Sequence, residues 1–372
     1  MSDTAFATPV RVVIVDDSAL VRQLLRTILD GDPRIQVVAT ASDPLQARAA
    51  IKETDPDVVT LDIEMPHMDG LSFLEKIMTL RPMPVVMISS LTSRGAETTL
   101  TALEMGAVDF VQKPAVDLSV GLADLAREIT DKVVAAAGVK RRLSARCAAL
   151  RPSAGPAATG GPAPVPLNSC AERAVVAIGA STGGVEALRE VVSALPPGMP
   201  AVLMAVHMPA AYTGRFAARL DALSPLAVKE AEHGESVLPG HVYIAPGGQH
   251  LELAGAEGAY RCRLHRQDKV QGHRPSVDVL FGSVAAAAGS RAVGVILTGM
   301  GRDGADGLKR MRDAGARTVG QDERSCIVYG MPRAARELGA VEREVPLPRI
   351  ASTLVGLLAG LGRIGEHPPS GL

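Results

Sequence analysis

The stretch Val10-Arg-Val-Val-Ile-Val15, followed at once by Asp16-Asp17-Ser18, decides the fold of the N-terminal half. Five of the six residues from Val10 to Val15 are apolar and β-branched, which is typical of a strand buried on both faces. Ser18 is placed to cap a following helix, whose apolar positions recur at helical spacing: Leu20, Leu24, Leu25 and Ile28. A buried strand that runs into an amphipathic helix is the repeating unit of a parallel sheet covered on both faces.

The same alternation continues through the first third of the chain. Further apolar runs predict buried strands at residues 36–39, 58–61, 85–88 and 108–111. Residues 117–146 carry Ala, Leu, Val and charged residues at helical spacing, which predicts a long closing helix. We therefore predict a first domain over residues 9–137, a doubly wound parallel sheet of the (βα)5 type.

A sharp change of composition follows. Residues 152–166 contain five Pro and three Gly, padded with Ala, and we predict an interdomain linker over residues 138–172. Beyond it, strand-like runs at 174–178, 201–206, 242–245 and 292–297 alternate with helix-like segments at 185–195, 276–288 and 306–314. The predicted fold class is α/β: two doubly wound parallel-sheet domains joined by a Pro/Gly/Ala linker, the second Rossmann-like and spanning residues 173–362.

Composition excludes several classes of protein. The 372 residues are 47% apolar and 21% charged, which argues against disorder, and the net charge of −1 with no Trp argues against nucleic-acid or lipid binding. The four cysteines are too far apart for a metal pair and too few for a disulfide framework: Cys147, Cys170, Cys262 and Cys326. With no signal peptide and no membrane-spanning apolar run, we expect a cytoplasmic protein.

Acidic residues follow two strands of the first domain. Asp16 and Asp17 come after the first strand and Asp62 after the third, and the carboxyl ends of parallel strands share one edge. Carboxylates that converge repel one another unless a hard cation such as Mg²⁺ lies between them. An aspartate in such a pocket can act as a nucleophile toward phosphorus.

Two further strand ends carry groups that complement an anion. Ser89 ends the fourth strand with a hydroxyl, and Lys113 ends the fifth with a cation followed by Pro114. A single aspartate at a turn is more often a helix cap or a solvated side chain. The combination of groups at four strand ends favours a phosphoryl-accepting pocket instead.

The second domain begins with a glycine-rich turn. The first strand runs into Gly179-Ala-Ser-Thr-Gly-Gly184, where small residues expose the Ser181 hydroxyl near a helix N-terminus. Three interpretations stay open for this hexapeptide alone: a nucleophile, a helix cap and a phosphate-binding turn. The pattern Gly-x-Ser-x-Gly also matches the nucleophile elbow of α/β-hydrolases.

A histidine and an aspartate stand at two other strand ends. His207 follows the second strand of this half, and Asp303 lies in the glycine-rich stretch after residue 297. Each alone is more often structural, but Ser, His and Asp at one edge meet the requirements of acyl transfer. The chain order Ser, His, Asp differs from the Ser, acid, His order of α/β-hydrolases, so the topology must differ.

The first domain resembles the receiver domain of two-component response regulators. The resemblance rests on these motifs: Asp16-Asp17, Leu61-Asp62-Ile-Glu-Met-Pro66, Asp69-Gly70, Ser89-Ser90, Gly106-Ala107 and Lys113-Pro114. It implies that Asp62 is the phosphoacceptor, and that Asp16, Asp17, Asp62 and the Glu64 carbonyl bind Mg²⁺. It also implies that Ser89, or the adjacent Ser90, is the switch hydroxyl and that Lys113 contacts the phosphoryl group.

The second domain resembles the catalytic domain of CheB-type chemotaxis methylesterases. The resemblance rests on these strings: Gly179-Ala-Ser-Thr-Gly-Gly184, His207-Met-Pro209, Tyr243-Ile-Ala-Pro-Gly-Gly-Gln-His250, His273-Arg-Pro-Ser-Val-Asp278, Leu297-Thr-Gly-Met-Gly-Arg-Asp-Gly-Ala-Asp306 and Tyr329-Gly-Met-Pro332. It implies that Ser181 is the nucleophile, His207 the general base and Asp303 its orienting acid. It further implies that Thr182 hydrogen-bonds the imidazole and that the Met300 amide contributes to the oxyanion hole. Val206 stands where the family often has Gln.

Together the two resemblances imply a phosphorylation-regulated hydrolase. Its expected substrates are glutamate methyl esters on the cytoplasmic domains of chemoreceptors, with receptor glutamine deamidation as a second activity. The expected phosphodonor is a histidine kinase, and no cofactor is expected for the esterase reaction. The alternatives are a transcriptional response regulator, which would need a basic recognition helix after the linker, and a catalytically silent adaptor, which could lack the triad.

Overall fold

The structure of the chain is a computed structural model that describes residues 8–65, 69–90, 92–113, 122–140 and 173–361. The described residues form two compact units, one on each side of residues 141–172. Most of the predicted linker, including the Pro-rich residues 152–166, lies outside the described residues, as do Cys147 and Cys170.

The first unit alternates strands and helices along the chain. Its elements are β1 (Val10–Val15), α1 (Ala19–Asp30), β2 (Ile35–Ala41), α2 (Pro44–Thr54), β3 (Val58–Asp62), α3 (Gly70–Leu80), β4 (Val85–Ser89), α4 (Ser93–Glu104), β5 (Asp109–Gln112) and α5 (Leu122–Ala137). Within the described residues the strands form one parallel sheet in the order β2-β1-β3-β4-β5. The Ser18 hydroxyl accepts a hydrogen bond from Val21 N and caps α1, so that Asp16 and Asp17 lie between the strand and the helix.

The second unit is larger. Its elements are β6 (Val175–Ala180), α6 (Gly184–Ser193), β7 (Ala201–Val206), α7 (Ala210–Leu223), β8 (Ala227–Glu230), β9 (His241–Ile244), β10 (His250–Ala254), β11 (Arg261–His265), α8 (Val277–Ala288), β12 (Ala292–Ile296), α9 (Ala305–Asp313), β13 (Arg317–Gln321), α10 (Met331–Glu337), β14 (Arg343–Val345) and α11 (Ile350–Leu361). In the described part of the unit, the main sheet is parallel and has the order β14-β13-β12-β6-β7-β9-β8. β10 and β11 pair separately as an antiparallel ribbon.

The predicted fold class is confirmed: both main sheets are parallel and alternate with helices. The buried strands agree with their predicted runs to within about two residues, because an uninterrupted apolar run is a strong signal. The antiparallel ribbon, the two edge strands β8 and β14, and β13 next to β14 were not predicted, since their polar residues break the apolar pattern. The predicted helix over residues 117–146 corresponds to α5, and residues 141–146 lie outside the described residues.

Helix α8 packs against the strands that carry the candidate site. Its buried residues form one apolar face, which joins the core beneath β6, β7 and β12: Val277, Leu280, Phe281 and Val284. The first turn of α8 thereby lies at the carboxyl-end edge of the sheet. None of the described helices is both long enough and apolar enough to cross a membrane.

Candidate active site

The acidic residues of the first unit converge as predicted. Asp16, Asp17 and Asp62 each offer a carboxylate oxygen, and these oxygens lie within 4.8 Å of one another. Asp16 and Asp62 are buried, whereas Asp17 is exposed. One oxygen of Asp16 accepts a hydrogen bond from Ser18 N at 2.9 Å. The other, Oδ2, is buried without a hydrogen-bond donor among the described residues and lies 3.4 Å from Lys113 Nζ.

Lys113 is the cation that faces this cluster. Its Nζ donates to Asp62 Oδ2 at 2.7 Å, and Asp62 Oδ1 accepts from Glu64 N at 3.2 Å. Burial, together with the nearby Asp16 charge, raises the pKa of Asp62 to about 6 although the Lys113 bond opposes the shift. Burial likewise raises the pKa of Asp16. Burial, the largest cause of both shifts, therefore opposes ionisation of these two carboxyls more than Lys113 favours it.

The donor set fits a hard divalent cation. It consists of three carboxylates, a ligand type that Mg²⁺ prefers, and one of their oxygens, Asp16 Oδ2, is buried without a hydrogen-bond donor among the described residues. Glu64, whose carbonyl was predicted as a ligand, follows Asp62 by two residues and has an exposed side chain.

The two adjacent serines at the end of β4 point to different partners. Ser89 is fully buried, and its hydroxyl lies 2.7 Å from Thr99 Oγ1 on α4. Ser90 donates to Glu64 Oε1 at 3.2 Å. The hydroxyl predicted as the switch is thus engaged with α4, while its neighbour lies beside the loop that follows the predicted phosphoacceptor.

The glycine-rich turn after β6 presents Ser181 at the edge of the second sheet. Ser181 N donates to Thr298 O at 3.0 Å, which ties the turn to the loop after β12. Gly183 adopts φ 74°, a left-handed conformation that favours glycine, and a Cβ there would lie 2.6 Å from Ile327 Cβ. The turn therefore requires glycine both for its backbone angle and for the close packing.

His207 follows β7 and joins the other two predicted residues. Its Nδ1 lies 3.0 Å from Ser181 Oγ, and its Nε2 lies 2.7 Å from Asp303 Oδ2. For Nδ1 to accept the serine proton, the neutral ring must carry its hydrogen on Nε2 and donate it to Asp303. The side chain is 8% exposed, so the ring is largely shielded from water.

Asp303 is buried and receives several hydrogen bonds. Oδ2 accepts from His207 and from Val277 N at 2.7 Å, and Oδ1 accepts from Ser276 Oγ at 2.7 Å and from Asp278 N at 3.0 Å. Burial alone would raise the pKa of Asp303, but the bonds from His207, Ser276 and Val277 outweigh it and lower the pKa to about 2. The carboxylate therefore stays ionised at neutral pH.

Sheet order explains why these three residues meet. β6 lies between β12 and β7, and its parallel pairing places the ends of all three strands at one edge. The loops after them carry Ser181, His207 and Asp303. Residues far apart in sequence are thus brought within hydrogen-bond distance, as the strand-end argument predicted.

Met300 follows Gly299 in the loop that passes against Ser181, the predicted nucleophile. A Cβ on Gly299 would lie 2.8 Å from Ser181 Cβ and 2.2 Å from Met331 Sδ, so the loop passes directly against the serine. Among the described residues the Met300 N–H has no hydrogen-bond acceptor. A backbone amide of this loop is the type of donor that an oxyanion hole needs, and the role of Met300 stays a prediction.

The role predicted for Thr182, a hydrogen bond to the imidazole of His207, stays a prediction. Ser181 and Asp303 each lie within hydrogen-bond distance of one ring nitrogen of His207. Thr182 is buried, and its carbonyl accepts from Thr298 Oγ1 at 2.9 Å. The structure thus shows Thr182 in contact with the loop after β12.

Comparisons with known proteins identify the family of this chain. Residues 176–354 match the family model for the CheB methylesterase, and residues 12–120 match the response regulator receiver domain. A protein-glutamate methylesterase/protein-glutamine glutaminase from Paraburkholderia xenovorans (strain LB400) is 55% identical over 95% of this chain and 98% of its own length. This chain belongs to the CheB methylesterase family. A second CheB-family relative, protein-glutamate methylesterase/protein-glutamine glutaminase 2 of Bordetella avium (strain 197N), is 55% identical over 93% of this chain and 96% of its own length.

A solved structure of the CheB family also matches the chain. The crystal structure of the Thermotoga maritima CheB methylesterase catalytic domain is 39% identical, with a TM-score of 0.49, and the match covers 50% of this chain and 98% of that one.

In this CheB-family chain, sequence reasoning missed contributions from residues 273–278. The His273 ring stacks on His207, with centroids 3.6 Å apart and planes 7° from parallel. Ser276, Val277 and Asp278 all donate to Asp303. The motif His273-Arg-Pro-Ser-Val-Asp278 was part of the resemblance to the methylesterase family. It contains no catalytic pattern from which these contacts could be predicted.

Proposed function

We propose that this chain is a phosphorylation-regulated protein-glutamate methylesterase that also acts as a protein-glutamine glutaminase. Its substrates would be methylated glutamates on the cytoplasmic domains of chemoreceptors. The observation that carries the proposal is the hydrogen-bonded chain from Ser181 through His207 to Asp303, in a member of a methylesterase family. Both proposed activities are those for which the relatives of this chain are named.

The geometry supports acyl transfer through Ser181. Its Oγ attacks the ester carbonyl while His207 Nδ1 takes the hydroxyl proton, and Asp303 stabilises the resulting imidazolium. The Met300 amide donates to the oxyanion of the tetrahedral intermediate. When the intermediate collapses, the imidazolium protonates the departing methoxide, and methanol leaves behind a glutamyl ester on Ser181.

Hydrolysis of the acyl-enzyme reverses the roles of these groups. His207 takes a proton from water, the hydroxide attacks the acyl carbonyl, and the imidazolium returns the proton to Ser181 Oγ as the glutamate is released. A glutamine side chain enters the same route with ammonia as the leaving group. One acyl-enzyme therefore accounts for both activities.

The receiver domain supports control by phosphorylation. We propose that Asp62 attacks the phosphorus of a phosphodonor, such as a phosphorylated histidine kinase, and forms an acyl phosphate as the donor group departs. Asp16, Asp17, Asp62 and the Glu64 carbonyl would hold Mg²⁺, which when bound offsets the repulsion between the carboxylates and the incoming anion. Lys113 would contact the phosphoryl oxygens, and Ser89 would serve as the switch hydroxyl.

The test is release of labelled methanol from methyl-labelled chemoreceptors incubated with the purified full-length protein. We expect release that depends on Ser181, and conversion of glutamine to glutamate, detected by mass spectrometry, on receptors that carry glutamine at the same positions. The Ser181→Ala variant is the control in both assays. No release from any methylated receptor, by a folded protein supplied with phosphodonor and Mg²⁺, would contradict the proposed function.

A further inference from the structure

Ser276 makes the one side-chain hydrogen bond to Asp303, apart from that of His207, in the described part of the chain. Its hydroxyl donates to Asp303 Oδ1 at 2.7 Å, and the residue is fully buried. The other donors to this carboxylate are the backbone amides of Val277 and Asp278. No sequence motif assigns Ser276 a part in the reaction.

We propose that Ser276 is a positioning residue of the esterase, which holds the Asp303 carboxylate in the orientation that receives the Nε2 proton of His207. The inference rests on the proposed function. Ser276 touches neither the nucleophile nor the base, so it acts through Asp303.

Ser276 adds a short hydrogen bond to the Asp303 oxygen that does not face His207, where the Asp278 amide is the other donor. Oδ2 takes the bond from His207, while Oδ1 takes the Ser276 hydroxyl bond on the opposite side of the carboxylate. A carboxylate bonded on both oxygens cannot rotate without breaking a charge-assisted bond. Without the hydroxyl, Oδ1 would keep only the longer bond of 3.0 Å from Asp278 N.

Ser276 is itself held in place by its neighbours. Its backbone N–H donates to His250 Nδ1 at 3.2 Å, and His250 Nε2 lies 3.1 Å from Asp268 O. Burial lowers the pKa of His250, which keeps the ring neutral and Nδ1 an acceptor. The Ser276 hydroxyl oxygen accepts from Val279 N at 3.4 Å as the cap of α8, so its proton is directed to Asp303.

Substitution of the hydroxyl tests the proposal. We expect Ser276→Ala to lower kcat for ester hydrolysis by about tenfold with KM within about twofold, because the lost bond orients a catalytic group and does not contact substrate. Ser276→Thr, which keeps the hydroxyl, should restore kcat to within about threefold of the wild type. Ser283→Ala is the matched control, since Ser283 lies two turns along α8 and its hydroxyl also makes two hydrogen bonds, from Leu253 N and to Leu280 O, neither of which involves Asp303.

The pH dependence of kcat/KM provides a readout that a purely structural role would not move. Without the Ser276 hydroxyl bond, more negative charge remains on Asp303, which stabilises the imidazolium of His207. The acid limb of the kcat/KM profile should therefore shift to higher pH by about 0.3–1 unit in Ser276→Ala. In Ser276→Thr it should return to its wild-type position. The titratable and charged groups around Asp303 and its neighbours His207, His250 and Asp278 remain in both variants: His265, His273, Arg274, Asp306 and Arg310, with those three neighbours themselves.

A double-mutant comparison separates positioning from general packing. In an Asp303→Asn background, removal of the Ser276 hydroxyl should cost less than about twofold further, because its target is already lost. A loss of the same size in both backgrounds, an acid limb that does not move, or full activity of Ser276→Ala would overturn the proposal. If Ser276→Ala does not fold, Ser276→Cys replaces it, and equal rates for the Cys and Thr variants would overturn the proposal.

Failure of this inference and failure of the proposed function give different results. An inactive wild type contradicts the function. An active wild type with an equally active and folded Ser276→Ala variant contradicts only the role of Ser276.

Discussion

His207 uses its ring nitrogens in a definite order. Nδ1 faces the serine and Nε2 faces the aspartate, the reverse of the order in the Ser-His-Asp template of chymotrypsin. The ring therefore works as the Nε2–H tautomer, and Asp303 selects that tautomer by accepting the proton. The proposed roles of the three residues are the same in both orders, because a general base needs one ring nitrogen that can accept a proton and a second that is held by a hydrogen bond.

Removal of the triad side chains should affect the rate unequally. We expect Ser181→Ala and His207→Ala to lower kcat for methyl ester hydrolysis by about 10⁴–10⁶-fold, and Asp303→Asn by somewhat less, since an orienting acid is the least costly member to lose. The measurement is methanol release under saturating substrate.

Asp306→Asn is the matched control for the acid. Asp306 lies one helical turn beyond Asp303 and pairs with the exposed Arg302, so its loss should change kcat by less than about threefold. An inactive Asp306→Asn beside an active Asp303→Asn would show that the orienting acid is misassigned.

Asp62 should make the receiver domain less stable as pH rises. Its folded pKa of about 6 lies above the ordinary 3.8, so the folded state binds more protons between these values and stability falls as pH rises through this window. The Asp62→Asn side chain does not ionise, so it removes this loss of stability. At pH 7 we expect it to raise the free energy of unfolding of a fragment ending at Lys140 by about 1–3 kcal/mol, and by almost nothing near pH 4.

Denaturant unfolding of the fragment at several pH values measures this effect. Asp32→Asn is the opposite control, because the Arg34 hydrogen bond lowers the pKa of Asp32 and its loss should destabilise the fragment at neutral pH. Equal stability of wild type and Asp62→Asn at pH 7, without metal, would contradict the prediction. Added Mg²⁺ should stabilise the wild type more than Asp62→Asn.

At the scale of elements, the loop after β12 and the turn after β6 form one packed unit. Gly299 allows the contact, because a side chain there would overlap Met331 and Ser181. We expect Gly299→Ala to destabilise the second domain by about 1–3 kcal/mol and to lower kcat at least as much as loss of an oxyanion donor, about 10²-fold. Thermal unfolding and methanol release measure the two effects.

Gly356 offers a matched control on α11. No atom lies within 4 Å of a Cβ built there, so Gly356→Ala should keep full activity and stabilise the helix by about 0.5–1 kcal/mol. Similar behaviour of the two alanine variants would show that the contact at Gly299 is not essential.

Apolar runs and strand ends carried most of what could be predicted from the sequence. Runs such as Val10–Val15 mark buried strands, and in a parallel sheet their carboxyl ends collect the residues of a site, which is why Asp16 and Asp62, or Ser181 and His207, could be grouped. The order of the strands in the sheet depends on tertiary contacts and could not be predicted from the sequence. Only the structure shows that β12, β6 and β7 are neighbours.

The contacts of residues 273–278 could not be predicted for a different reason. Ser276 has the pattern of an ordinary helix cap, and the cap function is real, since its oxygen accepts from Val279 N. The second use of the same hydroxyl depends on where α8 docks against the sheet. A ring stack such as that of His273 on His207 likewise leaves no periodic trace in the sequence.

At the scale of the whole molecule, the two units are joined by a Pro-, Gly- and Ala-rich connector in the sequence. In the family that the sequence resembles, the unphosphorylated receiver restrains the esterase, and we propose the same control here. A fragment from Arg173 to the C-terminus should therefore hydrolyse receptor methyl esters faster than the unphosphorylated full-length protein. Methanol release from equal concentrations of the two proteins measures the difference.

A phosphodonor separates the possible modes of control. It should raise the rate of the full-length protein, leave the fragment unchanged and have no effect on full-length Asp62→Asn. A folded fragment that is no faster than the resting full-length enzyme would indicate direct activation by the receiver.

The pairing of β6 with β12 has a consequence for synthesis on the ribosome. Val175 pairs with Ala292, so at elongation rates of about 5–20 residues per second the partner of β6 emerges roughly 10 s after β6 itself. In the finished sheet β6 is an interior strand. Until β12 has emerged, one edge of this apolar strand has no partner, and an unpaired edge promotes aggregation or binding by chaperones. Stalled nascent chains ending before β12 should therefore be digested by protease beyond residue 173 and bound by chaperones. Chains long enough to free residue 361 from the ribosome should resist both; equal resistance of the two lengths would show that β6 and β7 fold without their partner.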